Sequence, residues 1–143
     1  MFLPITLTFA AAAALINLWL AMRIGRIRMA EKVLHGDGGN SPLSKRMRAQ
    51  SNYVEYTPFV LILTGLVEMA LGSTTWLWAT VAAYLIARIL HALGMDSDTP
   101  AKTRMIGILV TFLVIIGLSI AALYAVYIGM GEGMATEPLS ATV

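Results

Sequence analysis

The chain has 143 residues, of which 58% are hydrophobic and only 13% charged, and its mean hydropathy is +0.76. Soluble domains carry about a quarter of their residues as charges, so a water-facing globular surface is excluded, and so much apolar surface equally excludes a disordered chain. Without cysteine there is no disulfide scaffold or thiolate metal site, and a net charge of +2 gives no footprint for nucleic acid.

One membrane domain over residues 1–143 accounts for this composition. Met1 to Met22 hold no charge, and about 20 apolar residues cross the roughly 30 Å hydrocarbon core as a helix. Ala10 to Ala14 offer small residues for a processing site. No basic region precedes the apolar run, however, so a retained span over about 3–24 is expected rather than a cleaved signal. Gly36-Asp37-Gly38-Gly39-Asn40 then reads as a loop. It lacks the lysine and the spacing of a phosphate cradle. Ser41-Pro42 reads as an N-cap and first helical position, so the second helix starts well before its span of about 53–71. Gly72-Ser73-Thr74 turns the chain into a third span of about 75–94, Thr99-Pro100 repeats the cap signal, and a fourth, chargeless span covers about 105–129. From about Gly131 the residues are small or polar and read as a flexible tail. The fold class is therefore all-α, an up-down bundle of four membrane-spanning helices.

All ten Lys and Arg residues fall on one side of this bundle. The positive-inside rule makes that side cytoplasmic, with both termini outward. Trp76, Trp78, Tyr124 and Tyr127 then form an aromatic belt at the outer interface. Glu68, near the outer end of span two, is expected to face a loop or a subunit contact, and Asn17 to hydrogen-bond between helices.

Ionisable groups within or beside a span face the bundle interior or a pocket. Arg48, Asn52 and Glu55 follow i, i+4 and i+7, within about 60° on one helix face. Tyr56 flanks that stripe, and Gln50 lies elsewhere around the helix. On the third helix Tyr84, Arg88, His91 and Met95 form a second stripe, Arg104 opens the fourth helix, and Arg23 and Arg26 end the first. All lie at the cytoplasmic interface, where they can converge. Arg28, Lys32, Lys45 and Lys102 read as plain interface anchors. The converging set offers guanidinium groups for carboxylates, one carboxylate for an ammonium, and amides for peptide groups. A small anionic peptide with a free amine suits that inventory. A phosphorylated lipid headgroup would leave Glu55 unexplained.

The run Arg48-Ala49-Gln50-Ser51-Asn52-Tyr53-Val54-Glu55-Tyr56-Thr57-Pro58 closely resembles the motif of the MAPEG family, the membrane-associated proteins in eicosanoid and glutathione metabolism. The chain length, four spans, basic first loop, and Tyr84 to Arg88 with His91 extend the resemblance, and the glycine-rich loop looks like the bacterial branch. It implies a homotrimer in a bacterial inner membrane, binding glutathione as co-substrate between neighbouring subunits, with no metal. The helix-two residues Arg48, Asn52, Glu55 and Tyr56, with Gln50 beside them, map onto the family's glutathione contacts. Arg88 and His91 join them from helix three, and Arg26, with Arg23 in reserve, from helix one. Arg104 occupies the place of the arginine that stabilises the thiolate in the family's transferases. The sequence departs from the leukotriene-forming members, which carry tyrosines on helix three where His91 and Met95 stand here. Membrane-bound glutathione transferase activity is the implied function, with glutathione peroxidase activity beside it. Apolar electrophiles or lipid hydroperoxides would then arrive from the bilayer. A non-catalytic, lipid- or partner-binding member of the family is the alternative. A small transporter fits less well, because Asn17 rather than a carboxylate sits inside span one.

Overall fold

The structure, a computed structural model, describes residues 2–135. It comprises α1 (Pro4–Glu31), α2 (Ser41–Leu71), α3 (Thr75–Gly94) and α4 (Lys102–Ala135). Each is long and apolar enough to cross a bilayer. All outrun their apolar stretches except α3, because the flanking Arg, Lys, Met and Ala residues are good helix formers that continue the helix into the interface. The tail expected from about residue 131 begins as a continuation of α4 as far as Ala135, and the remainder of that expectation lies outside the described residues.

Helix ends follow local chemistry. Pro4 opens α1, where its missing N–H costs nothing. α1 stops at Lys32, which turns left-handed with φ 53° and donates its N–H to Arg28 O. The loop beyond runs through Gly36, Gly38 and Gly39, all at positive φ. The cap of α2 is Asn40 rather than the expected Ser41: its Oδ1 accepts from Leu43 N at 2.9 Å, so Ser41 and Pro42 both fall inside the first turn. Helix α4 likewise starts later than Thr99-Pro100 suggested. Thr99 N is taken up by Ser97 Oγ at 3.2 Å, within the loop, and Ala101 O accepts the first bonds from Arg104 N and Met105 N.

The four helices run up and down, with α2 and α3 between α1 and α4. Helix α1 packs on α2 and α3, α4 packs on the same two, and no close backbone approach joins α1 to α4 among the described residues. In α3, 44% of the span is buried, against 22% to 28% in the other three, so most outward faces are apolar side chains for lipid to cover. Interior polar groups pair across helices, as hydrocarbon requires. Tyr53 donates to Ala13 O at 2.8 Å, Thr57 and Tyr84 share a hydroxyl contact of 2.9 Å, and Gln50 Nε2 donates to Asn17 Oδ1 at 3.2 Å. That last bond gives Asn17 its interhelical partner and turns Gln50 toward α1.

Glu68 meets the α2–α3 turn, as expected, and also does more. It is 2% exposed and accepts from Ile5 N at 3.0 Å, Thr6 N at 2.8 Å, Thr6 Oγ1 at 2.6 Å and Ser73 Oγ at 2.7 Å. A carboxylate from α2 thus caps the N-terminus of α1, where orphan donors and the positive end of the helix dipole both favour an anion. It faces the α2–α3 turn through Ser73, but its main partner is the first turn of α1. Glu68→Gln keeps the shape and loses the charge. It is expected to lower stability by about 1–3 kcal/mol, read as a fall in the thermal unfolding midpoint of detergent-solubilised protein.

Candidate functional site

The basic end of the bundle is tied together before any cleft forms. Arg23, 8% exposed, pairs with Asp96, donates to Ala92 O at 3.4 Å and lies 4.8 Å from the centre of the Trp19 ring. Arg46 donates to Arg23 O at 3.1 Å and approaches Asp96 Oδ1 at 3.6 Å. Lys45 pairs with Asp98, and its hydrogen bond and charge hold the Asp98 carboxyl below the usual carboxylate range. The end of α1, the start of α2 and the α3–α4 loop are therefore joined by ion pairs. The Asp98 tie is present at neutral pH and is lost as pH falls through that lowered value.

Inside this frame a cleft of about 210 Å³ is lined by Arg48, Ser51, Asn52 and Glu55 from α2, by His91 and Met95 from α3 and its cap, and by Arg104 from the first turn of α4. Other clefts formed by the described residues are lined chiefly by apolar side chains. Arg48, Glu55 and Arg104 are exposed, and none of them forms an ion pair among the described residues. His91 is 4% exposed, and its Nδ1 is buried without a partner. Buried polar atoms are normally satisfied by a protein group, water or a ligand, so this nitrogen has capacity for one further partner.

Behind the cleft lies Arg88, 1% exposed. Its Nη2 donates to Asn52 Oδ1 at 2.7 Å and its Nη1 to Thr111 Oγ1 at 3.3 Å, while the Tyr53 and Tyr56 rings stand 5.7 Å and 6.0 Å from its guanidinium carbon. No carboxylate lies within ion-pair distance among the described residues.

The MAPEG family model matches residues 6–124, most of the chain. The chain belongs to the MAPEG family. It is also similar to the inner membrane protein YecN of Escherichia coli, in strain K12 and in a strain of serotype O6:H1. Each is 34% identical over 87 residues, which make up 60% of this chain and 66% of each relative. Four spans and this family membership make the chain an integral membrane protein.

The MAPEG motif on α2 is thus delivered to one place only in part. Arg48, Asn52, Glu55, His91 and Arg104 meet at the cleft. Arg88 reaches it through Asn52. Tyr56 is half-buried behind it, edge-on to Phe112 at 5.8 Å. Three expected contacts are placed elsewhere within this subunit. Gln50 is held by Asn17, Arg23 by Asp96, and Arg26 is exposed and outside the cleft lining. Ser51 lines the cleft and was not anticipated. The signal was in the spacing: Ser51 stands at i+3 from Arg48 and i−4 from Glu55, so it borders the same helix face.

Two glycines set the position of Arg104. A Cβ on Gly94 would stand 2.5 Å from Arg104 N, and one on Gly107 would stand 2.6 Å from His91 Cβ and 2.7 Å from Ala87 O. Only bare backbone lets α4 approach α3 closely enough to bring Arg104 beside His91. Gly107→Ala is expected to destabilise the protein by about 1–3 kcal/mol through overpacking. Gly117→Ala, which meets nothing within 4 Å, is expected to leave the unfolding midpoint unlowered, or to raise it slightly through helix propensity. Comparison of the two midpoints by scanning fluorimetry checks the close approach.

Proposed function

We propose that the protein is a glutathione transferase of the inner membrane, working as a homotrimer, with glutathione peroxidase chemistry available at the same site. The observation that carries this reading is the convergence of Arg48, Asn52, Glu55, His91 and Arg104 from three helices on one cleft. The chemistry matches glutathione group by group. Guanidiniums suit its two carboxylates, the Glu55 carboxylate suits its ammonium, and the Asn52 amide suits its peptide groups. A cleft of about 210 Å³ is smaller than the roughly 300–1,000 Å³ of ordinary small-molecule sites. This supports a site completed by a neighbouring subunit, to which Arg26 would be free to contribute. The inner-membrane location is supported by the name of the YecN relatives.

In this reading Arg104 is the catalytic residue. A free thiol ionises at about 8.5, and the thiolate is the nucleophile. A guanidinium beside the sulfur favours the charged form without losing its own proton. With a chloronitrobenzene the thiolate forms the new S–C bond, chloride leaves with the electrons of the broken C–Cl bond, and the thiol proton passes to solvent. Binding and thiolate stabilisation are the protein's whole contribution.

The exposed apolar face of α4 at Met105, Ile106, Leu109 and Phe112, immediately beyond Arg104, offers a path for apolar electrophiles from the bilayer. Detergent-solubilised protein is expected to conjugate glutathione to a chloronitrobenzene, and Arg104→Ala is expected to reduce the rate roughly 100-fold or more. A wild-type rate equal to the buffer blank would leave a binding protein instead. Glu55→Gln is expected to weaken glutathione binding about tenfold in calorimetry, through loss of the ammonium partner.

A further inference from the structure

Arg88 is a buried guanidinium with only neutral partners. An arginine has donors and no acceptor, so whatever faces it must accept. The Asn52 side chain therefore turns its oxygen to Arg88, at 2.7 Å from Nη2, and its nitrogen must point elsewhere. That nitrogen donates to none of the described residues, while Asn52 itself lines the cleft. On the other side of Arg88, the Thr111 hydroxyl spends its single proton on Gly107 O at 2.8 Å, which leaves its oxygen free to accept from Nη1 at 3.3 Å. Each orientation dictates the next, from the α4 backbone through Thr111 and Arg88 to Asn52.

We propose that Thr111 and Arg88 are positioning residues that lock the Asn52 amide with its N–H₂ toward the cleft, so that Asn52 recognises a hydrogen-bond acceptor on the ligand, a carboxylate or peptide carbonyl, and rejects a donor there. The unneutralised charge of Arg88 supports the same choice. A cation left unpaired in a low-dielectric interior favours anions nearby, and its field reaches the cleft through the polarised amide. Arg88 thus acts through Asn52 and not by touching the ligand. Thr111, on α4 and fully buried, acts one step further back. The choice of glutathione as probe rests on the proposed function; the locked amide does not.

The test compares wild type, Thr111→Val, Thr111→Ser and Asn52→Asp in detergent, with glutathione affinity read by calorimetry and stability by the unfolding midpoint. Thr111→Val keeps the shape and removes the acceptor. It is expected to weaken glutathione roughly tenfold, with Thr111→Ser restoring affinity to within about twofold, since its hydroxyl makes the same bonds. Asn52→Asp gives Arg88 a carboxylate and replaces the outward donor with a second acceptor. Its midpoint is expected to rise while glutathione affinity falls more than about tenfold. Equal or tighter binding by Asn52→Asp would mean that Asn52 meets a donor and would overturn the proposal, as would unchanged affinity in Thr111→Val. Should wild type bind no glutathione, the proposed function fails. The locked amide is then decided by Asn52→Asp alone, whose lowered midpoint would overturn the contact with Arg88.

Discussion

A guanidinium buried between helices is cut off from bulk water, and Arg88 is the group around which the basic end of this bundle is arranged. It is almost completely enclosed; its two terminal nitrogens find acceptors on α2 and α4, its Nε finds none among the described residues, and aromatic faces from α2 lie beside it. A buried charge satisfied only by neutral dipoles costs more to hold than one paired with a carboxylate. The bundle bears that cost at one point, and the point lies directly behind the cleft. The polar wall in front of it gains from an anion in a way that an apolar wall would not.

The two ends of the molecule treat charge in opposite ways. At the end opposite the basic one Glu68 is saturated by two backbone N–H groups and two hydroxyls, which leaves little capacity for a ligand, and its role is to hold α1 on α2. At the basic end the tying is done by Arg23, Lys45 and Arg46 with Asp96 and Asp98, and both aspartates lie in or beside the α3–α4 loop. Those pairs leave Arg48, Glu55 and Arg104 without partners among the described residues. Charges spent on structure and charges kept free are thus separated along the same surface.

Much of this was legible in the sequence. The four spans follow from charge-free runs of sufficient length, because lipid imposes one length rule on every helix that crosses it. The α2 stripe followed from spacing, and Arg48, Asn52 and Glu55 do share a face of the cleft. The third-helix stripe was legible as a face but not in depth. Its four members share a direction, yet Tyr84 bonds Thr57 in the core, Arg88 backs the cleft, and only His91 and Met95 line it. Periodicity reports angle around an axis and is silent about how far a side chain lies from the cleft wall. The partners of Gln50, Arg23 and Glu68 were not legible for a related reason. Each has a partner that lies far away in the chain, Asn17, Asp96 and the first turn of α1 respectively, and no local spacing encodes such pairs.

Thr111 and the two close-approach glycines were not legible at all, and the reason is physical. A threonine in an apolar helix that bonds the carbonyl one turn back is an ordinary local habit of the residue, and nothing in its neighbours announces a second acceptor role. It becomes informative only once Arg88 is seen opposite it. Gly94 and Gly107 likewise read as interruptions until the helices they serve are brought together, when each fits backbone against backbone next to Arg104 or His91. The site is therefore specified twice. A dense polar motif on α2 supplies one wall of the cleft, and a few inconspicuous small residues on α3 and α4 set how closely the opposite wall approaches it. The second specification also explains why Arg104 can sit at the cleft with an exposed side chain and no ion pair to hold it. Its backbone, packed closely against Gly94, supplies placement that a charge partner would otherwise provide, and the guanidinium stays without an ion pair among the described residues.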